Sequence, residues 1–381
     1  MNRVSIRPEL LRWACDRAGL STISLERRFP HLPAWLRGET QPTFKQLEDF
    51  ARATHAPIGY LFLSVPPRER LPIPDFRTFS NERVEQPSAD LLDTLYLCQQ
   101  RQHWYREFAR SIHEPRVDFV SSGRATDGVE TTAASIRERL RFDLERRREM
   151  PTWTDALRRL IDSLDQAGVL VMVSGVVGSN NRRALDPREF RGFTLVDDMA
   201  PLVFINGSDP KAAQMFTFAH EVAHVWIGQS AVSDSGPFAH PDAEVERWCS
   251  EVAAELLVPR HSLLERHDAS SEPQIEAQRL ARELKVSTLV ALRRMHDTGL
   301  IGDELYGRAY DEELKRIRNL PKGTGGNFYL SVGARVGKRF ARSLVASTLE
   351  GRSSYTEAFR LLGFAKMATF RELGRTLGLA T

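Results

Sequence analysis

The stretch MFTFAHEVAHVWIG, Met215 to Gly228, decides how this chain is read. It is apolar almost all round, so as a helix it is buried. Inside it stands HEVAH, His220 to His224. Residues four apart on a helix share a face one turn apart, so the two imidazoles can grip one metal ion. Glu221 is turned about 100 degrees from His220 around the axis, which puts its carboxylate within reach of a water on the ion rather than of the ion. Burying two histidines and a glutamate costs free energy unless something compensates them. A metal ion does so; a chance arrangement on a helix face does not. The spacing is that of zinc peptidases, where zinc lowers the pKa of bound water to about 7 and the glutamate takes its proton as the water attacks a peptide carbonyl.

A catalytic zinc takes three protein ligands and keeps one position open. The pattern HExxHxxGxxH is excluded, because Ile227 and Ser230 stand where it needs glycine and histidine. His240 is one candidate, in a loop beside Pro241. The other source is DAEVERWCSEVAAELLVP, Asp242 to Pro259, which reads as a helix. Glu246 is favoured, since Ser250 and Ala253 continue its small-residue face. Glu244, Glu251 and Glu255 compete. Glu244 and Glu251 also fit solvated positions, and Glu255, between Ala254 and Leu256, fits a carboxylate that orients a ligand histidine.

Outward from the motif, Val169–Val173, Phe190–Val196 and Leu202–Ile205 are short Val/Ile/Phe-rich runs bounded by Gly, Asn, Asp and Pro, and read as strands. Thr152 to Ala167 precedes them as a helix. The fold class expected is α+β, in five segments. Residues 1–65 are short helices punctuated by Pro30, Pro33, Pro42 and Pro57. Residues 66–150 are a proline-rich connector and a long helix with a stripe at Leu91, Leu92, Leu95, Trp104 and Phe108. Residues 151–262 form the metal-bearing core with a short sheet. Residues 263–320 are helical. Residues 321–381 are a basic C-terminal region behind the flexible stretch KGTGGN, Lys322 to Asn327, which lacks the Lys-Ser/Thr end of a phosphate loop.

Composition is that of a globular protein: 381 residues, 41% hydrophobic and 27% charged. The net charge of +3 does not itself point to nucleic acid. From Ser331 onward nine bases face three acids, a local +6 that suits an acidic partner, a phosphate backbone or simply a solvated helix face. Cys15, Cys98 and Cys249 form no CxxC pair, which argues against a disulfide framework. No signal peptide is visible, and the longest apolar run, Gly168 to Gly178, is too short to span a bilayer. A cytoplasmic protein without a membrane partner is expected.

FTFAHEVAHVWIG together with ERWCSEVAAELLVP resembles the ImmA/IrrE metallopeptidases. The resemblance extends to PDFRT (Pro74 to Thr78), RQHWYREFAR (Arg101 to Arg110), EFRGFTLVDDMAPLVFIN (Glu189 to Asn206) and VSTLVALRRMHDTGLI (Val286 to Ile301). It implies a zincin-like core, Zn2+ held by His220, His224 and Glu246, and Glu221 as general base. The family's glutamate ligand opens an ExxAN pattern; here Cys249 and Ser250 replace the alanine and asparagine, which leaves the local hydrogen bonding open. The resemblance also implies endopeptidase action on a protein partner, a transcriptional repressor or antitoxin, in stress, mobile-element or defence regulation.

The N-terminal segment resembles an Xre-type helix-turn-helix, in GLS (Gly19 to Ser21), WLRGETQPT (Trp35 to Thr43) and the helix from Phe44 to Thr54. Between Ser21 and Trp35 it is about one turn short and carries two prolines, and nine bases against six acids give a weak basic footprint. Its DNA-contacting residues are not assigned. It reads either as a DNA-binding domain or as a degenerate helical domain for protein contact. Leu280 to Ile301 has a second helix-turn-helix rhythm, with Arg293 and Arg294 facing either phosphates or the protein interior. Arg191 and Asn206 flank the strands, fit for substrate contact or for strand ends. The strand before the metal helix offers an edge for an extended peptide. The competing class is a non-enzymatic regulator, DNA-binding or an antitoxin for a neighbouring toxin, with a structural zinc; an intact Glu221 favours the enzyme.

Overall fold

The computed structural model describes residues 3–19, 22–75, 78–79, 82–83, 87–233, 244–319 and 328–379. Two compact units divide the chain: Met1–Pro72 with Val84–Leu95, and Ile73–Arg83 with Tyr96–Thr381.

The first unit is helical. Helix α1 (Pro8–Arg17) opens with proline, whose fixed φ suits the first turn. Helices α2 (Thr22–Arg28) and α3 (Leu32–Leu36) follow, then α4 (Phe44–Ala53), which is started by a reciprocal capping box between Thr43 and Gln46. A 3-10 turn, Ile58–Phe62, closes the set. Leu10, Leu11, Leu32, Trp35, Leu47 and Phe50 fill its core. Helix α3, within the stretch the sequence likens to a helix-turn-helix, has only five residues, about 7.5 Å. Leu32 and Trp35 turn inward, so little of it is left to present to a groove.

The second unit shares the 23-residue helix α5 (Ala89–Ser111), whose residues from Tyr96 onward belong to it. An antiparallel pair, β1 (Thr78–Phe79) and β2 (Glu82–Arg83), stands before it in the chain. Helices α6 (Val129–Leu140), α7 (Leu144–Arg148) and α8 (Trp153–Gln166) lead into the sheet. Its strands are β3 (Leu170–Ser174), β4 (Gly192–Leu195), β5 (Leu202–Asn206) and β6 (Ala231–Ser233), in the order β3-β5-β4-β6. β3 runs parallel to β5, and β4 is antiparallel to both β5 and β6.

All five residues of β5 are buried, as expected of a strand covered on both faces. It is also paired on both sides, so the expectation that the strand before the metal helix offers a free edge is overturned. β6 stands at one edge, and its Val232 N–H already donates to Pro74 O at 3.0 Å. Helices α9 (Lys211–Ile227) and α10 (Glu244–Leu257) carry the motif residues. Ala212 through Trp226 are buried without exception, and Gly228 ends α9 with φ of 71°, a left-handed value natural to glycine.

Helices α11 (Arg260–Arg266), α12 (Pro273–Leu284), α13 (Thr288–Asp297) and α14 (Asp303–Arg318) extend the same apolar core as far as Tyr310. Four more, α15 (Phe328–Val336), α16 (Lys338–Leu349), α17 (Tyr355–Leu362) and α18 (Met367–Thr376), form the C-terminal region, and α15 and α16 pack on β3. Gly337 permits the approach: a Cβ there would lie 2.8 Å from Val171 O. Several bases of this region are matched within the unit. Lys338 meets Asp162 at 2.8 Å, and Arg339 bonds Asp165 O at 3.0 Å and Tyr105 at 2.6 Å and pairs with Glu114. The stretch KGTGGN lies outside the described residues. Among the described residues no helix is long and apolar enough to cross a membrane.

Candidate metal centre

The i, i+4 spacing on α9 does what the sequence requires. His220 and His224 are fully buried, and their Nε2 atoms stand 3.2 Å apart. Glu246, in the first turn of α10, closes the group: its Oε2 is 3.1 Å from His220 Nε2 and its Oε1 is 2.8 Å from His224 Nε2. One ligating atom from each residue falls within 4.8 Å of the others.

The residues fit a zinc ion. Two nitrogens bound tetrahedrally at about 2.05 Å stand about 3.3 Å apart, close to the 3.2 Å observed. Glu221 Oε1 is buried and makes no hydrogen bond among the described residues, while Glu246 Oε1 faces His224 Nε2. An acceptor left as Glu221 Oε1 is in a dry interior is costly unless a cation or a proton meets it.

The surroundings fix each member. Ser250, one turn after Glu246 on α10, sets its Oγ 3.2 Å from His220 Nδ1, and so makes the contact that the departure from the family pattern had left open. Cys249 lies beside His224, and Ser233 Oγ of β6 is 3.4 Å from His224 Nε2. Thr194 of β4 donates its hydroxyl to Glu221 Oε2 at 2.7 Å. The helix and strand can approach this closely because residue 192 is glycine; a Cβ there would come 3.0 Å from Glu221 Oε1. Burial pushes the Glu221 carboxyl up to about 7, against the pull of His224 and Thr194. Burial also raises Glu246, but the two imidazoles outweigh it and hold that carboxyl down at about 2. His220 is lowered, chiefly by burial, which favours the neutral ring a metal needs.

Other expected residues fall elsewhere. Glu244 and Glu251 are exposed, and His240 lies outside the described residues. Glu255 was expected to orient a ligand histidine, and the structure corrects this. It accepts from the backbone N–H of Arg260 at 3.1 Å and pairs with Arg294. It sits two turns past Cys249, at the far end of α10, where three guanidiniums meet the last carbonyls. Arg137 donates to Glu255 O at 2.7 Å, Arg147 to Leu257 O at 2.8 Å and Arg294 to Val258 O at 2.8 Å. Cations there oppose the negative end of the helix dipole. Arg294 is thus mostly buried in the protein. Asn206 bonds Phe190 O and Ser208 N, a strand-end role. Arg191 meets Asp209 at 2.9 Å.

Thr194 and Ser233 are not singled out by the sequence, and Ser250 is noted there only for its place on the small-residue face and its departure from the family pattern. Ser250 is signalled by its i+4 spacing from Glu246. The other two depend on which strand pairs beside α9, and local pattern does not hold that information.

Among known families, residues 336–376 match a domain of unknown function, DUF8813. No curated protein and no solved structure matches the chain. Residues 164–296, less than half of the chain but including the whole buried group, match the peptidase M78 model, described as the IrrE N-terminal-like domain, and this supports a metallopeptidase of the ImmA/IrrE type.

Proposed function

We propose that the chain is a zinc-dependent endopeptidase acting in the cytoplasm on a protein partner, a transcriptional repressor or antitoxin, and so in stress, mobile-element or defence regulation. The observation that carries the reading is the convergence of His220, His224 and Glu246 with Glu221 beside them. Three ligands leave a position open, as in catalytic rather than structural zinc sites. When bound, zinc supplies a Lewis acid that polarises the scissile carbonyl and makes water a stronger acid.

The rest is done by the chain. Thr194 holds Glu221 Oε2, which leaves Oε1 as the atom that takes the proton from the attacking water and passes it to the leaving nitrogen. Ser250 fixes the ring of His220. Burial keeps water other than the reactant away and strengthens each of these interactions. The N-terminal unit is assigned to protein contact, because α3 is one turn long and its large side chains point inward.

The test is metal content by mass spectrometry on chelator-free protein, wild type beside His224→Ala and Glu246→Ala. About one zinc per wild-type chain, sharply reduced in both variants, is expected. The wild type is then incubated with the products of adjacent genes and scanned for cleavage. A wild type without zinc would sink the proposal and move the reading to a non-enzymatic regulator.

A further inference from the structure

The C-terminal region, where bases outnumber acids, takes no part in the metal group. Its last three helices, α16, α17 and α18, fill the span of the DUF8813 match. α16 packs on both α17 and α18, and Phe340, Leu344, Leu361, Leu362, Phe370 and Leu373 are wholly buried. α17 opens on Ser354, whose hydroxyl accepts from the Glu357 N–H at 3.1 Å, and it ends at Gly363 with φ of 81°. Four residues, Gly363 to Lys366, then turn the chain into α18.

Helix, short glycine turn and helix make the frame of a helix-turn-helix, and also of any helical hairpin. The packing separates the two. A hairpin zips its helices together along their length. Here α18 packs chiefly on α15 and α16, and it meets α17 at Phe370, whose ring stands steeply tilted to Tyr355 at 5.4 Å and to Phe359 at 5.9 Å.

The outer face of α18 is thereby left to solvent. Met367, Ala368, Arg371 and Arg375 follow one another at helical spacing along it and are all exposed, and Lys366 stands exposed at its start. With ten residues the helix is about 15 Å long, twice the length of α3. From Arg352 to Thr376 five bases, Arg352, Arg360, Lys366, Arg371 and Arg375, oppose Glu357 and Glu372. Glu372 holds Arg375 at 2.9 Å, but the two side chains are 41% and 65% exposed, and an ion pair in water is weak enough to give way to a phosphate. Tyr355, 41% exposed in the first turn of α17, sets a hydroxyl beside this face. A helix presented in this way fits the major groove of DNA, about 12 Å wide; the deep, narrow major groove of duplex RNA excludes it.

We propose that α17 and α18 form a helix-turn-helix for duplex DNA, with α18 in the major groove and the amino end of α17 on the phosphate backbone. Met367 and Ala368 face base edges, and Lys366, Arg371 and Arg375 supply the charge that meets phosphates. The proposal is independent of the peptidase reading.

The full chain is titrated into a fluorescein-labelled pool of random duplexes of about 30 base pairs, at 50 and 200 mM salt. Anisotropy should report a micromolar dissociation constant at 50 mM, and affinity about 100-fold weaker at 200 mM for roughly four phosphates neutralised. Arg371→Gln with Arg375→Gln should weaken binding at least about tenfold and lower the salt slope by about two. Thermal unfolding checks that this variant is folded. Met367→Glu is the second variant: an acid in the first turn suits the helix dipole, yet it sets a negative charge against the groove and should abolish binding. Arg27→Gln with Arg28→Gln, in α2 of the first unit, should bind like wild type. Absence of binding at 50 mM overturns the proposal, as do folded α18 variants that bind like wild type, or a loss seen only with the α2 variant. A poly-glutamate peptide that binds where the duplex does not would also overturn it, and would assign the face to an acidic protein.

Discussion

The two units of this chain bury different chemistry. In the first, the buried polar residues among those described are Thr54 and Thr94, and each hydroxyl bonds a carbonyl one turn back in its own helix. Its interior is otherwise apolar, Leu, Ala, Phe and Trp with Ile6 and Cys15, and the one charged side chain tucked against it, Arg17, is matched by Glu69 at 2.5 Å among the described residues. The second buries Arg101, Arg147, Asp209, His220, Glu221, His224, Glu246, Glu255, Glu276, Arg294 and Glu313. An apolar interior holds a shape at low cost. A charged interior survives only where each group is matched, so the second unit has taken on constraints that shape alone does not need. Some of them are chemical, and some support the elements that hold the chemistry.

The largest effect should come from the chemistry. Glu221→Gln keeps the shape of the site but removes the base, and cleavage of the partner should fall about 10²–10⁴-fold, with zinc content unchanged by mass spectrometry. A variant that cleaves like wild type would take Glu221 out of the mechanism.

Next is the support. Glu255→Ala leaves Arg294 partly unmatched in the interior and should cost about 3–5 kcal/mol, read as a lower apparent Tm and denaturant midpoint. Zinc affinity of the folded variant should hold. A loss of about 10–100-fold in zinc affinity would restore Glu255 to the role of orienting a histidine.

A smaller effect depends on pH. Glu276 sits below the ordinary glutamate value of 4.5, chiefly because Arg279 hydrogen-bonds it, with the Asp268 N–H adding a further bond. A carboxylate lowered on folding stabilises above its unfolded value, and that stability is lost as pH falls through 4.5 towards the folded value. Wild type should therefore exceed Glu276→Gln by roughly 1 kcal/mol near neutrality, with the gap in Tm closing on acidification. A gap that widens in acid would contradict the assignment.

The smallest belongs to the first unit. Thr54→Val removes a hydroxyl whose carbonyl partner, Phe50 O, also accepts the Thr54 N–H. It should shift stability by about 0.5 kcal/mol or less. A change as large as that of Glu255→Ala would erase the contrast between the two interiors.

What the sequence discloses follows the same division. HEVAH names its own geometry, because a fixed i, i+4 spacing on a helix does not depend on the rest of the chain. Glu246 is recognisable through the small residues on its face. Glu255 is misread because being flanked by Ala254 and Leu256 says that a carboxylate is buried, not what meets it. Its partner Arg294 is 39 residues away. The strand order escapes for the same reason: the three runs rich in Val and Phe are plain, but nothing local puts β5 between two neighbours or brings β6 beside His224. In the C-terminal region the charge count draws attention away from Phe340, Leu344, Val345 and Phe370, which are wholly buried.

The end of α10 bears on modularity. Arg137 and Arg147, two of the three guanidiniums that close it, lie before residue 164, where the family match begins. Residues 164–296 therefore hold every residue of the candidate metal group but not all the cations that close α10. Excised there, the helix bearing Glu246 would lose two of its three terminal cations along with the apolar cover of α6. The stretch that the family match covers is smaller than the set of residues packed around the candidate metal group. Any transplant of this site into another scaffold has to begin upstream of α6.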